Sequence, residues 1–282
     1  MNPSVFDAHV DTLLKLPNAV SFIQGNEVTH VDQPRAKRAG VTQLLTAVCA
    51  EAAKNQMTAF HYGISLYREV KEISSIELLL LLEGCQPLME IENREEIIQL
   101  LSFASLTWNG ANSLGGGIGT DTGLSAAGKN MALQLHDAGV ILDVSHLCDQ
   151  SRMDLLSLGI RTVATHCNCR SILDIPRNLP DDDIREIASS GGVIGVTFVP
   201  DFLGKDASIG TIADHLEHII KITDISHAGM GSDFDGTINL PAGVRDCSVW
   251  PEIFELLDKR GWDQKSIEAV AGDNWRRITM EN

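Results

Sequence analysis

The segment Val5–Asp11 reads VFDAHVD, a short apolar run that leads directly into a His-x-Asp pair. We predict a strand over Val5–Ala8. Because successive side chains of a strand point to opposite faces, His9 and Asp11 would share a face and could contact the same ion. Imidazole and carboxylate groups are common zinc ligands. Such pairs also arise by chance, with the histidine in a turn and the aspartate in water, so a metal site here requires partners elsewhere in the chain.

Short apolar runs of the same kind recur along the chain and alternate with longer amphipathic segments. The eight predicted strands are Val5–Ala8, Gln43–Ala50, Ile76–Leu82, Phe103–Thr107, Val140–Val144, Thr162–Thr165, Val193–Phe198 and Ala228–Gly231. The predicted helices are Ala52–Ile73, Glu95–Leu101, Ala126–Ala138, Gln150–Leu158, Asp181–Ser189, Ile209–Thr223, Trp250–Arg260 and Gln264–Ile278. Strands that alternate with helices indicate βαβ units and a parallel sheet.

The number of strands decides the architecture. Eight strands in 282 residues favour a closed (β/α)8 barrel of the TIM type over an open doubly wound sheet. No linker rich in Pro, Ser and Gly divides the sequence, so we predict a single domain over residues 1–282.

Composition excludes some classes of partner. The net charge of −16 argues against nucleic acid, because phosphate binding needs a basic surface. Hydrophobic residues make up 44% of the chain and the mean hydropathy is +0.02, which is typical of a globular protein with a real core. The N-terminus lacks the pattern of a signal peptide, and the longest apolar run, Leu78–Leu82, is too short to span a membrane. We therefore expect a cytoplasmic protein without membrane contact, in which the six cysteines are free thiols.

Polar side chains that can bind metal recur where the predicted strands stop. Besides His9 and Asp11, they are Glu83, Asp143, His146, His166, Asp233 and Asp235. In a parallel barrel the carboxyl ends of all strands meet at one face, which hosts the active site. Each residue alone could be an ordinary solvated group, but their coincidence at five strand ends favours a metal site. The other histidines lie in predicted helices, in a polar stretch or before a strand, and we predict structural roles for them.

Several motifs together resemble a known family. They are Asp7–Leu13 (DAHVDTL), Leu82–Gly84 (LEG), Leu106–Asn109 (LTWN), Leu142–His146 (LDVSH), Ala164–His166 (ATH), Arg177–Asp182 (RNLPDD), Gly231–Gly236 (GSDFDG) and Gly272–Arg276 (GDNWR). In order and spacing the chain resembles the membrane dipeptidases (renal dipeptidase family), which are binuclear zinc members of the amidohydrolase superfamily. The resemblance covers almost the whole chain.

The resemblance implies two Zn²⁺ ions per chain and a role for each site residue. His9 and Asp11 would bind one ion, His146 and His166 the other, and Glu83 would bridge them. Arg177 would bind the free C-terminal carboxylate of a small dipeptide, including dipeptides with a D-residue at that end. A hydroxide that bridges the metals would attack the peptide bond, and Asp233 would move its proton to the leaving amine. A homodimer is also implied.

The motif Leu106–Asn109 departs from the animal enzymes of this family, which have a histidine where this chain has Trp108. An indole N–H donates one hydrogen bond but cannot bind a metal or carry charge. Either Trp108, Asn109 or Asn112 takes over the orientation of the substrate, or the activity differs, or Trp108 only packs against the pocket. We predict that Trp108 and Asn109 contact the substrate.

Two other functions remain open. One is a different binuclear amidohydrolase activity, on N-acyl amino acids or other small amides. The other is a metal-binding homologue without catalysis, against which the retention of all five ligands and Asp233 argues.

Overall fold

Eight parallel strands form a (β/α)8 barrel of the TIM type in the computed structural model, which describes residues 3–281. The strands are β1 (Val5–Val10), β2 (Val41–Val48), β3 (Glu77–Glu83), β4 (Phe103–Ser105), β5 (Ile141–Asp143), β6 (Thr162–Val163), β7 (Ile194–Val196) and β8 (Ala228–Met230). Each strand from β1 to β6 pairs in parallel with the next, and β7 pairs in parallel with β8.

Two short parallel bridges close the barrel. Ala164 pairs with Ile194 and thereby joins β6 to β7, while Val10 pairs with Phe234 just beyond β8 and joins that strand to β1. The second junction is reinforced by the backbone N–H of Asp233, which donates to the carbonyl of His9 at 3.0 Å. The predicted barrel is confirmed, and its first and last strands meet at the residues that carry the predicted site.

All eight predicted strands are present, but most are shorter than predicted at their carboxyl ends. Phe103–Thr107 is reduced to β4, and Thr162–Thr165 to the two residues of β6. The sequence pattern continues past these points because the following residues are still buried. They leave the hydrogen-bonded ladder to form the loops at the mouth of the barrel.

The helices surround the barrel, and three of them were missed. They are α1 (Ala19–Gln24), α2 (Gln33–Arg38), α3 (Gln56–Ile73), α4 (Arg94–Ile98), α5 (Ala126–Asp137), α6 (Asp149–Leu156), α7 (Asp181–Ser189), α8 (Pro200–Leu203), α9 (Ile209–Ile222), α10 (Trp250–Lys259), α11 (Gln264–Glu268) and α12 (Asn274–Met280). The missed ones, α1, α2 and α8, are too short for a periodic pattern. Among residues 3–281 no helix combines the length and apolarity needed to cross a bilayer.

Two of the predicted helices differ from the observed ones, one because of a cap and the other because of a wide turn. α3 starts at Gln56 rather than Ala52, because the side chain of Asn55 caps it by accepting from the backbone N–H of Thr58. The predicted helix Gln264–Ile278 is interrupted by a wide turn over Ala269–Asp273, which leads the chain under the barrel into α12.

The barrel interior is filled by large side chains and closed by Trp275 of α12. Trp275 is fully buried, and its ring centroid lies 6.3 Å from those of Phe6 and Phe103. Gly195 on β7 and Gly229 on β8 leave the space that this indole occupies, since a Cβ at either position would press against the ring. The absence of a side chain at Gly229 is therefore a packing requirement.

We predict that Gly229→Ala lowers the free energy of unfolding by about 1–3 kcal/mol, the usual cost of overpacking a core. Gly210→Ala in the first turn of α9 is the matched control, because the nearest atoms to its Cβ are the ends of flexible side chains. It should leave stability nearly unchanged. Denaturant unfolding measures both, and equal stabilities for the two variants would contradict the packing described for Trp275.

Candidate active site

A cavity of about 390 Å³ opens at the carboxyl ends of the strands. Its lining includes residues from the ends or following loops of β1, β3, β4, β5, β7 and β8, among them Asp11, Glu83, Trp108, His146, Phe202 and Asp233. This is the face at which barrel enzymes carry their active sites.

The five predicted metal ligands converge beneath this cavity. The Oε1 atom of Glu83 lies 2.8 Å from Nε2 of His146, 3.5 Å from Nε2 of His166 and 3.8 Å from Nε2 of His9. The same Nε2 atom of His9 is 3.4 Å from Oδ2 of Asp11. Glu83 thus stands between the two predicted pairs of ligands.

His9 and Asp11 reach this place by a route that differs from regular strand alternation. The pairing of β1 with β2 shifts register between Asp7 and Val10, and such an irregularity redirects the side chains within it. Asp11 lies beyond the strand, at the start of a 3₁₀ turn over Thr12–Lys15. The two side chains converge as predicted, but the prediction from alternation alone was wrong about the cause.

Hydrogen bonds at Nδ1 orient the three imidazole rings. Nδ1 of His146 lies 3.0 Å from the side-chain oxygen of Asn109, while Nδ1 of His9 and Nδ1 of His166 both contact the hydroxyl of Thr165. Since an amide oxygen only accepts, the proton of His146 is on Nδ1. The Nε2 atoms are left to face Glu83.

The cluster fits a metal centre by its own chemistry. Nε2 of His9 and Oε1 of Glu83 are buried and have no hydrogen-bond partner among residues 3–281. Two overlapping sets of side chains could each hold an ion, because the ligand atoms within each set lie within 4.8 Å of one another. One set is His9, Glu83 and His166, and the other is His9, Asp11 and Asp233. Imidazole nitrogen and carboxylate oxygen together suit Zn²⁺ and similar divalent ions.

The electrostatics of the cluster favour a cation. Burial lowers the pKa of His9, but the carboxylates of Glu83 and Asp11 outweigh it and raise the pKa to about 10. A proton on His9 supplies the positive charge in the metal-free chain, and a metal ion would replace it. Burial and the neighbouring positive charges hold the pKa of His166 well below its usual value, so that ring stays neutral and can act as a ligand.

Asp233 is held in an unusual conformation beside Asp11. Its φ of 62° is in the left-handed region, and burial together with the charge of Asp11 raises the pKa of its carboxyl well above the usual range. A Cβ at Gly236 would collide with both carboxylates. Asp235 also has a positive φ, but its carboxylate accepts hydrogen bonds from Thr12 and from the backbone of His30, so it fixes the loop.

Arg177 is a buried cation without a carboxylate partner among residues 3–281. Its side chain is 6% exposed, donates to Sγ of Cys167 at 3.0 Å and lies against the ring of Phe202. One terminal nitrogen is 3.4 Å from Nε2 of His146, and Nε has no partner among residues 3–281. Arg177 therefore stands beside the ligand cluster, although His146 and Phe202, rather than Arg177 itself, line the cavity.

Trp108 and Asn109, the two predicted substrate contacts, line the cavity, whereas Asn112 is not part of its lining. The side chain of Asn112 donates to Glu51 at 2.8 Å, and the backbone N–H of Trp108 donates to the other oxygen of Glu51 at 3.1 Å. Asn112 thus fixes the loop through Glu51 and the carbonyl of Leu106. Glu51 and Thr165 were not predicted to belong to the site, although both follow strand ends as the predicted ligands do.

Two of the other histidines, His215 and His218, have structural environments. His215 is fully buried, accepts the backbone N–H of Cys169 through Nδ1 and contacts the carbonyl of Leu203 through Nε2. His218 pairs with Asp181 at 2.8 Å. None of these contacts reaches the cavity.

Comparison with known proteins agrees with the fold and the motifs. Among curated proteins, the chain is 34% identical over 186 residues to an uncharacterized protein from the pqqA 5′ region of Klebsiella pneumoniae, covering 61% of this chain and 68% of that one. It is 32% identical over 164 residues to an uncharacterized dipeptidase of Schizosaccharomyces pombe, covering 56% of this chain and only 40% of the yeast protein.

Solved structures share the whole fold at lower identity. The dipeptidase AC, a metallo peptidase of family M19, superposes with a TM-score of 0.86 at 23% identity over 99% of this chain and 98% of that one. A metallo peptidase from Rhodobacter sphaeroides, liganded with a phosphinate mimic of the dipeptide L-Ala-D-Ala, gives a TM-score of 0.87 at 22% identity over 99% of both chains.

A family description covers most of the chain. The sequence model of the membrane dipeptidases matches residues 76–282, a segment that includes Glu83, His146, His166, Arg177 and Asp233 and begins after His9 and Asp11. The chain belongs to the membrane dipeptidase family, peptidase family M19.

Proposed function

We propose that this protein is a binuclear zinc metallodipeptidase, a hydrolase that cleaves small dipeptides with a free C-terminal carboxylate and acts as a single domain over residues 1–282. The observation that carries the proposal is the convergence of three imidazole Nε2 atoms on one oxygen of Glu83, with Asp11 and Asp233 beside them. Membership of a family of dipeptidases supports the same reaction.

The ligands divide into two sets around Glu83. His9 and Asp11 would hold one zinc ion, His146 and His166 would hold the other, and Glu83 would contribute its carboxylate to both sites. When bound, the two ions supply Lewis acidity that polarises the scissile carbonyl and makes water a nucleophile at neutral pH. The neutral state of the His166 ring, favoured by burial, suits this ligand role.

Asp233 is the catalytic acid/base residue in this proposal. It accepts a proton from the attacking water and passes it to the nitrogen of the leaving amine. The pKa of Asp233, raised by burial and by the charge of Asp11, suits this role, because such a carboxyl takes up a proton more readily than an exposed one. The left-handed backbone at Asp233 and the bare Cα of Gly236 allow its carboxylate to sit against Asp11.

Arg177 binds the carboxylate of the substrate. A planar guanidinium pairs with a carboxylate through two parallel hydrogen bonds, and Arg177 has no such partner within the described chain. Trp108 and Asn109 form part of the wall that the dipeptide contacts. A cavity of about 390 Å³ suits a small dipeptide. We include a D-residue at the C-terminal position, in line with the L-Ala-D-Ala mimic held by the similar Rhodobacter sphaeroides protein.

One observation favours a second candidate, hydrolysis of N-acyl amino acids or other small amides. Arg177 is outside the lining of the cavity, and two of its nitrogens already contact Cys167 and His146. These contacts favour the small amides of this candidate, because a substrate without a carboxylate would leave them unchanged. An N-acyl amino acid carries a carboxylate and is not favoured by the same observation. The homodimer and the cytoplasmic location expected from the sequence stay predictions, and light scattering of the purified protein tests the first.

We predict that the purified protein carries about two zinc ions per chain and hydrolyses dipeptides in a panel with L- and D-residues at the C-terminal position. Asp233→Asn should reduce kcat by roughly 10²–10⁴-fold, the usual contribution of a general acid/base. The exposed Asp258→Asn in α10 is the matched control and should leave kcat unchanged. Protein that is replete with metal but cleaves no dipeptide would contradict the proposal.

We further predict that Arg177→Ala raises KM for dipeptides by roughly 10–100-fold, since it removes a charge-assisted pair worth about 1.5–3 kcal/mol. The KM for small amides without a carboxylate should be unchanged in this variant. Arg177→Lys keeps the charge but loses the planar fork, so its KM for dipeptides should lie between those of the parent protein and Arg177→Ala. An unchanged KM for dipeptides, in a variant that melts like the parent protein, would favour the second candidate instead.

A further inference from the structure

We propose that Thr165 is a positioning residue shared by the two metal sites. Its hydroxyl oxygen orients His9, a ligand of the first ion, and His166, a ligand of the second, so that one side chain fixes the ligand atoms of both sites. The inference rests on the proposed function, because it concerns the two-metal centre, and it assigns Thr165 a role that is separate from ligation and from proton transfer.

The geometry is a three-way contact in the fully buried base of the site. The Oγ1 atom of Thr165 lies 3.1 Å from Nδ1 of His9, 2.8 Å from Nδ1 of His166 and 2.5 Å from Oδ2 of Asp143. All four side chains are no more than 1% exposed. Water therefore cannot replace any of these partners without a rearrangement.

The number of protons determines the direction of each bond. A hydroxyl has one proton to donate and two lone pairs that accept. Thr165 donates its proton to the carboxylate of Asp143, which leaves the two lone pairs for the two rings. His9 and His166 must both donate from Nδ1–H, and in each ring Nε2 is then the atom available to a metal ion.

Asp143 is itself fixed, so it cannot release the hydroxyl. Its Oδ1 atom accepts the backbone N–H and the hydroxyl of Ser145, at 3.0 and 2.6 Å, and the backbone N–H of Thr165 at 3.0 Å. Asp143 makes no contact with the ligand atoms, as expected for a residue three positions before His146. The carboxylate therefore acts on the metal sites through Thr165.

The arrangement of the rings explains why one hydroxyl serves both. The centroids of His9 and His166 are 3.7 Å apart and their planes are tilted by 36°, so the two Nδ1 atoms lie close together on the same side. His146, the remaining imidazole ligand, is held separately by Asn109. Loss of the Thr165 hydroxyl should therefore weaken both sites at once, whereas loss of one ligand should remove one site.

The test is metal binding by Thr165→Val, measured by calorimetric titration of metal-free protein with Zn²⁺. We expect both ions to bind roughly 10–100-fold more weakly, the usual effect of removing an outer partner of a metal-bound histidine. Thr165→Ser, which keeps the hydroxyl, should restore most of the affinity. Thr162→Val, on β6 three residues before Thr165, is the matched control, because the buried hydroxyl of Thr162 has no partner among residues 3–281. His9→Ala should lose one ion only.

The possible outcomes separate this inference from the proposed function. If the parent protein binds no zinc, the two-metal proposal itself fails. If the parent binds two ions and Thr165→Val lowers the affinity for neither or only one of them, the role of a shared hydroxyl is overturned. The same holds if Thr165→Ser binds zinc as weakly as Thr165→Val.

Discussion

The carboxylate of Glu83 is buried at the end of β3, where three imidazole nitrogens and two further carboxylates surround it. A buried carboxylate is costly unless positive charge and hydrogen bonds compensate for the lost hydration. Burial alone would raise the pKa of Glu83, but His146 and His9 outweigh this effect and lower the pKa below its usual value. The carboxyl group therefore stays ionised. The buried carboxylate favours a cation at this point, and the surrounding hydrogen bonds orient the residues proposed to bind it.

The barrel meets this requirement through its topology. Parallel strands bring residues that are far apart in sequence to one face, and the closure between β8 and β1 places Asp233 beside His9 and Asp11. Each ligand then needs its own orientation. Thr165 and Asp143 hold two of the imidazoles, Asn109 holds the third, and the loop of Asn109 is in turn tied to Glu51.

The barrel and the convergence of the ligands could be predicted because both follow from patterns along the chain. Apolar runs of strand length mark β1–β8, and ligands such as Glu83 and His166 stand where those runs end. The irregularity in β1 could not be predicted, since it depends on how β1 pairs with a strand more than thirty residues away. The functions of Thr165 and Glu51 were missed for the same reason. Threonine and glutamate at a strand end look like ordinary polar residues until the partners from other loops are known.

Anomalous diffraction from crystals of the zinc-loaded protein at the zinc absorption edge tests the central claim most directly. Two anomalous peaks, roughly 3.5–4 Å apart on either side of the Glu83 carboxylate, are predicted, as in other two-metal hydrolytic sites. One ion should contact His9 and Asp11, and the other His146 and His166. A single peak, or peaks outside this cluster, would contradict the account.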